Sequence, residues 1–257
     1  MDIVLLGSGN VATHLGGALV RAGHRIKQVY SRTEAHAKTL AAALDAAAIS
    51  DLTAVDVHAD IYIIAVRDDA LAAVAAQLPA TLRGIVTHTA GSVDMDVLAS
   101  YATQYGVVYP VQTFSRVKAI DFSMIPIAVE ASDEEAKRQL LQFASSLSGS
   151  VFPCDSRQRL SLHMAAVFAC NFTNHLYAIA ADILDEHDLD FDLIRPLILE
   201  TARKVTAHQP KDVQTGPAVR NDVGTMQKHI GLLGSHPELV ELYRYISNRI
   251  RNARGKT

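Results

Sequence analysis

Three polar side chains recur along one otherwise apolar stretch: His163, Asn171 and Asn174 lie in Leu162-His-Met-Ala-Ala-Val-Phe-Ala-Cys-Asn-Phe-Thr-Asn-His175. At about 3.6 residues per turn, they and Val167 fall near one face of a helix. Polar groups on a face built of alanine and apolar residues need partners, supplied either by a neighbouring helix or by a ligand. His163 is suited to act as a general acid near neutral pH, and Asn171 and Asn174 to orient a carbonyl or amide. A second polar group is Thr215-Gly-Pro-Ala-Val-Arg-Asn-Asp222. There Arg220 fits either a solvated surface position or a clamp on a substrate carboxylate or phosphate, and Asp222 fits a helix cap. His88, ahead of Thr89-Ala-Gly-Ser92, is a further candidate for substrate contact. Such residues move protons and orient a small polar molecule.

The elements that must position them begin at the N-terminus. Ile3 to Leu6 is a continuous apolar run with β-branched residues, as in a parallel strand covered on both faces. Gly7-Ser-Gly-Asn-Val-Ala12 follows and fits the G-x-G-x-x-(G/A) fingerprint of a dinucleotide-binding turn. Gly7 allows the tight turn, Gly9 lets the backbone approach a pyrophosphate, and Ala12 lets the helix pack on the strand. The N–H groups of Ser8, Asn10 and Val11 then face the phosphates, and the helix dipole favours their charge. The second strand, Ile26 to Tyr30, ends where an NAD-binding protein usually carries an acidic residue for the ribose. This chain has Ser31-Arg32-Thr33 instead, which suits a 2′-phosphate and favours NADP over NAD.

Strands and helices then alternate, which predicts a parallel α/β sheet. Glu34 to Ala48 is expected as a helix and Ala59 to Val66 as a strand. Val66 and Arg67 lie at that strand's carboxyl end, where ligands of open sheets bind, and Asp68 or Asp69 serves either the ligand or as cap of a helix Ala70 to Leu78. Gly84 to Ser92 reads as a strand whose polar end, with Thr89, Gly91 and Ser92, faces the cofactor. Val107 to Val111, Ile125 to Glu130 and Ser150 to Cys154 are further strands, and Ser132 to Glu135 has the form of a capping box. Beyond Ser156 only helical patterns follow: Arg157 to Glu186, Phe191 to Gln209, Gly216 to Leu233 and Pro237 to Ala253. The fold class is therefore α/β, a Rossmann-type mostly parallel sheet over residues 1–154 followed by an all-α domain over 155–257.

Composition narrows the function. The chain has 257 residues, 49% of them hydrophobic, and a net charge of −3. Without Trp or a basic stripe, nucleic-acid binding is not expected. No apolar run reaches the length of a membrane span and the N-terminus enters a strand directly, so a cytoplasmic protein is expected. Cys154 and Cys170 have no ligand spacing and read as buried free thiols. The remaining histidines show no close ligand spacing, and no metal site is expected.

Taken together, Gly7-Ser-Gly-Asn-Val-Ala12, Ser31-Arg-Thr33, His88-Thr-Ala-Gly-Ser92, Tyr109-Pro-Val-Gln-Thr-Phe114, His163 with Ala165-Ala-Val-Phe-Ala-Cys-Asn171, and Thr215-Gly-Pro-Ala-Val-Arg-Asn-Asp222 resemble one family. It comprises Rossmann-like proteins with a C-terminal helical domain of unknown function, described as NADP or deazaflavin-dependent oxidoreductases. The resemblance spans nearly the whole chain. It implies a fold similar to 6-phosphogluconate dehydrogenase and pyrroline-5-carboxylate reductase, and helical domains that pair into a homodimer. The implied activity is an NADP-dependent oxidoreduction between the nicotinamide and a small carbonyl or imine, with His163, Asn171 and Asn174 at the reacting centre. One departure bears on it: related hydroxyacid dehydrogenases carry Lys-x-x-x-Asn, and if Asn171 matches that Asn, Val167 stands where the Lys would be. The alternative is a non-catalytic module that senses NADP(H).

Overall fold

The computed structural model describes residues 1–115 and 120–253. Eight strands form one sheet: β1 (Asp2–Leu6), β2 (Arg25–Tyr30), β3 (Ala47–Ile49), β4 (Ile61–Ile64), β5 (Ile85–His88), β6 (Tyr105–Pro110), β7 (Ile127–Ala131) and β8 (Val151–Pro153). Their order is β3-β2-β1-β4-β5-β6-β7-β8. The first six are parallel, β7 runs antiparallel to β6, and β8 is parallel to β7. This is a doubly wound sheet, and its strand order reverses between β1 and β4.

The sheet is covered on both faces, which is why β1 from Ile3 onward and the whole of β4 are buried. Ile3, Leu5, Ile61 and Ile63 pack with α1 (Asn10–Arg21), α2 (Glu34–Ala43) and α4 (Glu134–Ser145). Val4, Leu6, Tyr62 and Ile64 pack on the opposite face with the short α3 (Leu71–Ala75). Period-two alternation of the side chains assigns each residue to its layer.

Contact density divides the chain into two compact units, Met1–Leu176 and Tyr177–Thr257. The first ends with α5 (Ser156–Ala166), a π-helical stretch over Val167–Phe172 and the start of α6 (Thr173–Asp185). The second continues with α7 (Arg195–Ala207), α8 (Val223–Leu232) and α9 (Pro237–Ala253). Among the described residues no helix is long and apolar enough to cross a membrane.

Local details differ from the sequence expectation where tertiary contacts override propensity. The helix expected to reach Ala48 stops at Ala43, the chain turns at Asp45 with φ +51°, and Ala47–Ile49 pairs with β2 as an edge strand. Edge pairing satisfies the backbone of this alanine stretch as a helix would. Asp68 and Asp69 do not cap α3; Asp69 pairs with Arg67 and Asp68 accepts from Ser92 Oγ. Asp133, rather than Ser132, caps α4 by accepting from Ala136 N at 2.8 Å. Helix α8 starts at Val223, later than Gly216, because the chain turns through Gly216 (φ +113°) and Asn221 (φ +53°) before Asp222 caps it through Thr225 N at 3.0 Å. Cys154 is buried, but Cys170 is exposed, since its helix face is uncovered.

Candidate active site

The glycine turn is built for a close approach. Gly7 has φ +136°, and a Cβ there would lie 2.2 Å from the Ala65 carbonyl oxygen, so β1 can run into α1 beside the end of β4 only without a side chain. Gly9 is different: its φ is an ordinary −78°, and among the described residues no atom lies within 4 Å of where its Cβ would be. It stands at the head of α1, whose opening N–H groups have no intrahelical acceptor and whose first turn carries no acidic residue. The result is an empty approach to the positive end of a twelve-residue helix.

At the switch point, Gly7, Ser8, Gly9, Asn10 and Val11 line a cleft of about 910 Å³ together with Ser31, Arg32, Thr33, Val66 and Arg67. The tertiary structure thus brings together three sequence segments expected to hold the cofactor. Ser8 Oγ donates to Ser31 Oγ at 2.9 Å, which ties the glycine turn to the end of β2. Thr33 heads α2, and among the described residues its hydroxyl makes no capping bond to that helix. Arg32 is exposed in the cleft wall, and Arg67 is held by Asp69 at 2.8 Å. The donors of Ser31, Arg32 and Thr33 beside a helix N-terminus fit a phosphate monoester.

Among the cleft residues that sequence reasoning missed are four with polar or aromatic side chains facing the site's chemistry, His36, Gln77, Gln112 and Phe114. His36 was findable, since it lies on the first turn of α2 just after Thr33. Gln112 and Phe114 arrive by strand order, and Asn10 Nδ2 donates to the Phe114 carbonyl at 2.9 Å.

Thr89, Gly91 and Ser92 gather beyond this cleft, at the end of β5. Thr89 N donates to the Ile64 carbonyl at 3.2 Å, and Ser92 Oγ donates to Asp68. Gly91 is the shelf on which His163 lies; a Cβ there would sit 2.7 Å from His163 Nδ1 and 2.8 Å from Cγ. Tyr109 OH is 3.1 Å from the same Nδ1, with the two rings edge to face at 6.1 Å. Burial pushes the Tyr109 phenol up, so it keeps its proton.

Helix α5 is fixed one turn before His163 by a buried ion pair. Arg159, only 1% exposed, bridges to Glu130 of β7 and donates to the Val93 carbonyl and to Ser156 Oγ. Glu130 also accepts from Ser156 N and Oγ, both at 2.8 Å. Asp155 and Gln158 complete a capping box at the same helix start. His88 lies inside the sheet with no exposed surface, and its Nδ1 accepts from Ala90 N at 3.1 Å. Burial, reinforced by the Arg159 charge, pulls its pKa down to about 4 and keeps the ring neutral.

Asn171 and Asn174 are exposed. The uninterrupted α-helix expected through them is not kept, because residues 167–172 form a π-turn. Thr173 Oγ1 donates to the Phe168 carbonyl five residues back. A π-turn takes in one residue more than an α-turn, so residues beyond it are set back by roughly 100°. Asn174 is thereby rotated relative to His163, while Asn171 lies within the turn itself. Arg220 belongs to the second unit, where it is exposed beside the Asp222 cap.

Comparison with known proteins places these features in context. Residues 2–91 match a family described as NADP oxidoreductase, coenzyme F420-dependent, and residues 125–250 match a domain of unknown function, DUF2520. A Bacteroides fragilis protein provisionally described as an NADP oxidoreductase is 45% identical over 98% of both chains, with a TM-score of 0.89. More distant folds include an Aspergillus terreus reductive aminase in complex with NADPH and ethyl levulinate, 16% identical over 99% of this chain and 95% of that one, with a TM-score of 0.74. A Myxococcus stipitatus imine reductase in complex with NADP+ is 15% identical over 98% and 92%, with a TM-score of 0.62. A search of curated proteins finds no match.

Proposed function

The chain belongs to the family of NADP oxidoreductases that join an F420-type oxidoreductase domain to DUF2520, and from that premise we propose that it reduces a small carbonyl or imine substrate with NADPH. The observation that carries this reading is the single cleft shared by the glycine turn and the Ser31-Arg32-Thr33 cluster. Gly7, Ser8, Gly9, Asn10 and Val11 hold the pyrophosphate, and Ser31, Arg32 and Thr33, joined by His36, hold the 2′-phosphate. Val66 and Arg67 would complete this cradle, and Thr89, Gly91 and Ser92 would extend it at the end of β5. When bound, NADPH supplies a hydride to the substrate carbon. His163 donates the accompanying proton, and Asn171 and Asn174 orient the substrate. His88, buried behind Thr89 and Ala90, shapes the turn that carries Gly91. Calorimetric titration tests the cradle: Arg32→Ala should weaken NADPH binding about ten- to a hundredfold and leave NADH unchanged. Equal loss for both nucleotides would remove the 2′-phosphate assignment.

A homodimer belongs to the same proposal. Leu160, Met164, Phe168, Phe172 and Leu176 recur every fourth residue and are 41–63% exposed. So long an apolar stripe is expected to be covered by a second copy. Light scattering at micromolar concentration should give twice the chain mass; a monomer would refute the pairing. The second functional reading, an NADP(H) sensor without turnover, is favoured by Val167, which cannot transfer a proton where related dehydrogenases carry Lys. Steady consumption of NADPH with a panel of cyclic imines and ketones would exclude it.

A further inference from the structure

From the contact between Tyr109 and His163 we infer that Tyr109 is a positioning residue that fixes which nitrogen of His163 delivers the proton. The inference rests on the reductase reading and deepens it. Tyr109 lies at the end of β6, 8% exposed, and its hydroxyl is 3.1 Å from His163 Nδ1. The same ring is backed by Gly91, where even one added carbon would press on Nδ1, Cγ and Cβ at 2.7–3.0 Å. The imidazole is therefore held against a glycine shelf and a phenol, and its helix is pinned to the sheet through Arg159 one turn earlier. With Nδ1 committed to Tyr109, Nε2 is the nitrogen left to meet a substrate.

A phenol suits this task because its oxygen both donates and accepts. Against the neutral ring, Tyr109 O–H donates to Nδ1 and the ring's one proton resides on Nε2. Against the protonated ring, Tyr109 oxygen accepts from Nδ1–H, and Nε2 again carries a proton. In turnover the Nε2–H bond breaks and that proton joins the nitrogen or oxygen of the substrate's double bond. The ring is left transiently neutral with its proton at Nδ1 against the Tyr109 oxygen; uptake of one proton from bulk solvent at Nε2 restores the imidazolium, and loss of the Nδ1 proton to solvent returns the resting neutral ring protonated at Nε2. Tyr109 gains and loses no proton in the cycle.

Nitrogen-15 NMR of the NADPH-bound protein tests the assignment, with the His163 resonances identified by their loss in His163→Gln. In the wild type the neutral His163 ring should be a single tautomer protonated at Nε2. In Tyr109→Phe, which keeps the aromatic edge but not the hydroxyl, the two nitrogens should move toward averaged shifts. With 2-methyl-1-pyrroline as probe, turnover in that variant should fall about three- to tenfold with the KM for NADPH unchanged. A wild-type ring protonated at Nδ1, or mixed, overturns the inference without recourse to any variant. So does a Tyr109→Phe spectrum identical to that of the wild type. Absence of reduction of any imine or ketone by the wild type would instead refute the reductase reading, whatever the tautomer, so the two failures are distinguishable.

Discussion

Replacing Gly9 by Ala should separate cofactor binding from folding, because the two glycines of the turn are constrained for different reasons. At Gly7 an added methyl would meet the Ala65 carbonyl at 2.2 Å with φ +136°, so Gly7→Ala must distort the junction of β1 and β4. At Gly9 the backbone is already in a conformation open to any residue, with φ −78° and ψ −172°, and the space for a methyl is empty. Two small terms oppose each other there: the unfolded chain loses freedom, worth about 0.4–1 kcal/mol in favour of folding, and a good helix N-cap is exchanged for a poor one at about the same cost. The net stability change should stay within about 1 kcal/mol, or roughly 2–4 °C in Tm for a chain of this size. Binding is another matter, since in the proposed binding mode that empty volume is the approach by which a pyrophosphate reaches the N–H groups opening α1. Losing even one charge-assisted bond costs about 1.5–3 kcal/mol, so the Kd for NADPH should rise about ten- to a hundredfold. Calorimetry with NADPH and thermal melting without it measure the two effects side by side. A folded Gly9→Ala protein that binds NADPH within about threefold of the wild type would refute the placement of the pyrophosphate, and one that melts far lower would refute the account of the empty space.

Three other outcomes follow from the same geometry. Glu130→Ala strands the buried Arg159 charge and should cost about 3–5 kcal/mol in urea unfolding, whereas Glu130→Leu with Arg159→Met should recover much of it; a loss below about 1 kcal/mol for the single variant would contradict the buried pair. His88 has a folded pKa of about 4 against an ordinary 6.5, so the unfolded chain binds the extra proton between these values and stability falls as pH drops through that window. The loss amounts to roughly 3 kcal/mol by pH 4, and His88→Asn should flatten that part of the pH–stability curve; an unchanged slope would remove His88 as its source. Asn171→Ala should abolish reduction of the imine probe while leaving the NADPH Kd intact, and normal turnover in that variant would sink its assigned role.

The strand, glycine turn and helix that open the chain were legible in the sequence because their constraints are local. A buried apolar run, two glycines and a helix start lie within a dozen residues, and the Ser31-Arg32-Thr33 cluster lies at the end of the very next strand. The alternation of strands and helices likewise predicted a parallel sheet, since covering both faces demands continuous apolar strands. Helix ends and the Ala47–Ile49 strand were less legible, because edge pairing and αL turns at Asp45 and Asn221 are settled by contacts outside the segment.

What sequence by itself determined is the identity of the chemical groups and their local frames: the glycine turn, the Ser31-Arg32-Thr33 cluster and a histidine on a long helix. Only the tertiary structure decided which of these groups meet. Strand order brings β6 beside β5, and so sets Tyr109 and Gly91, eighteen residues apart in sequence, against the same histidine, His163. The π-turn over Val167–Phe172 breaks the 3.6-residue period from which Asn171 and Asn174 were placed with His163. Arg159 and Glu130 have no sequence signature as a pair, since a buried charge is distinguishable from a solvated one only when its partner from another element is in place.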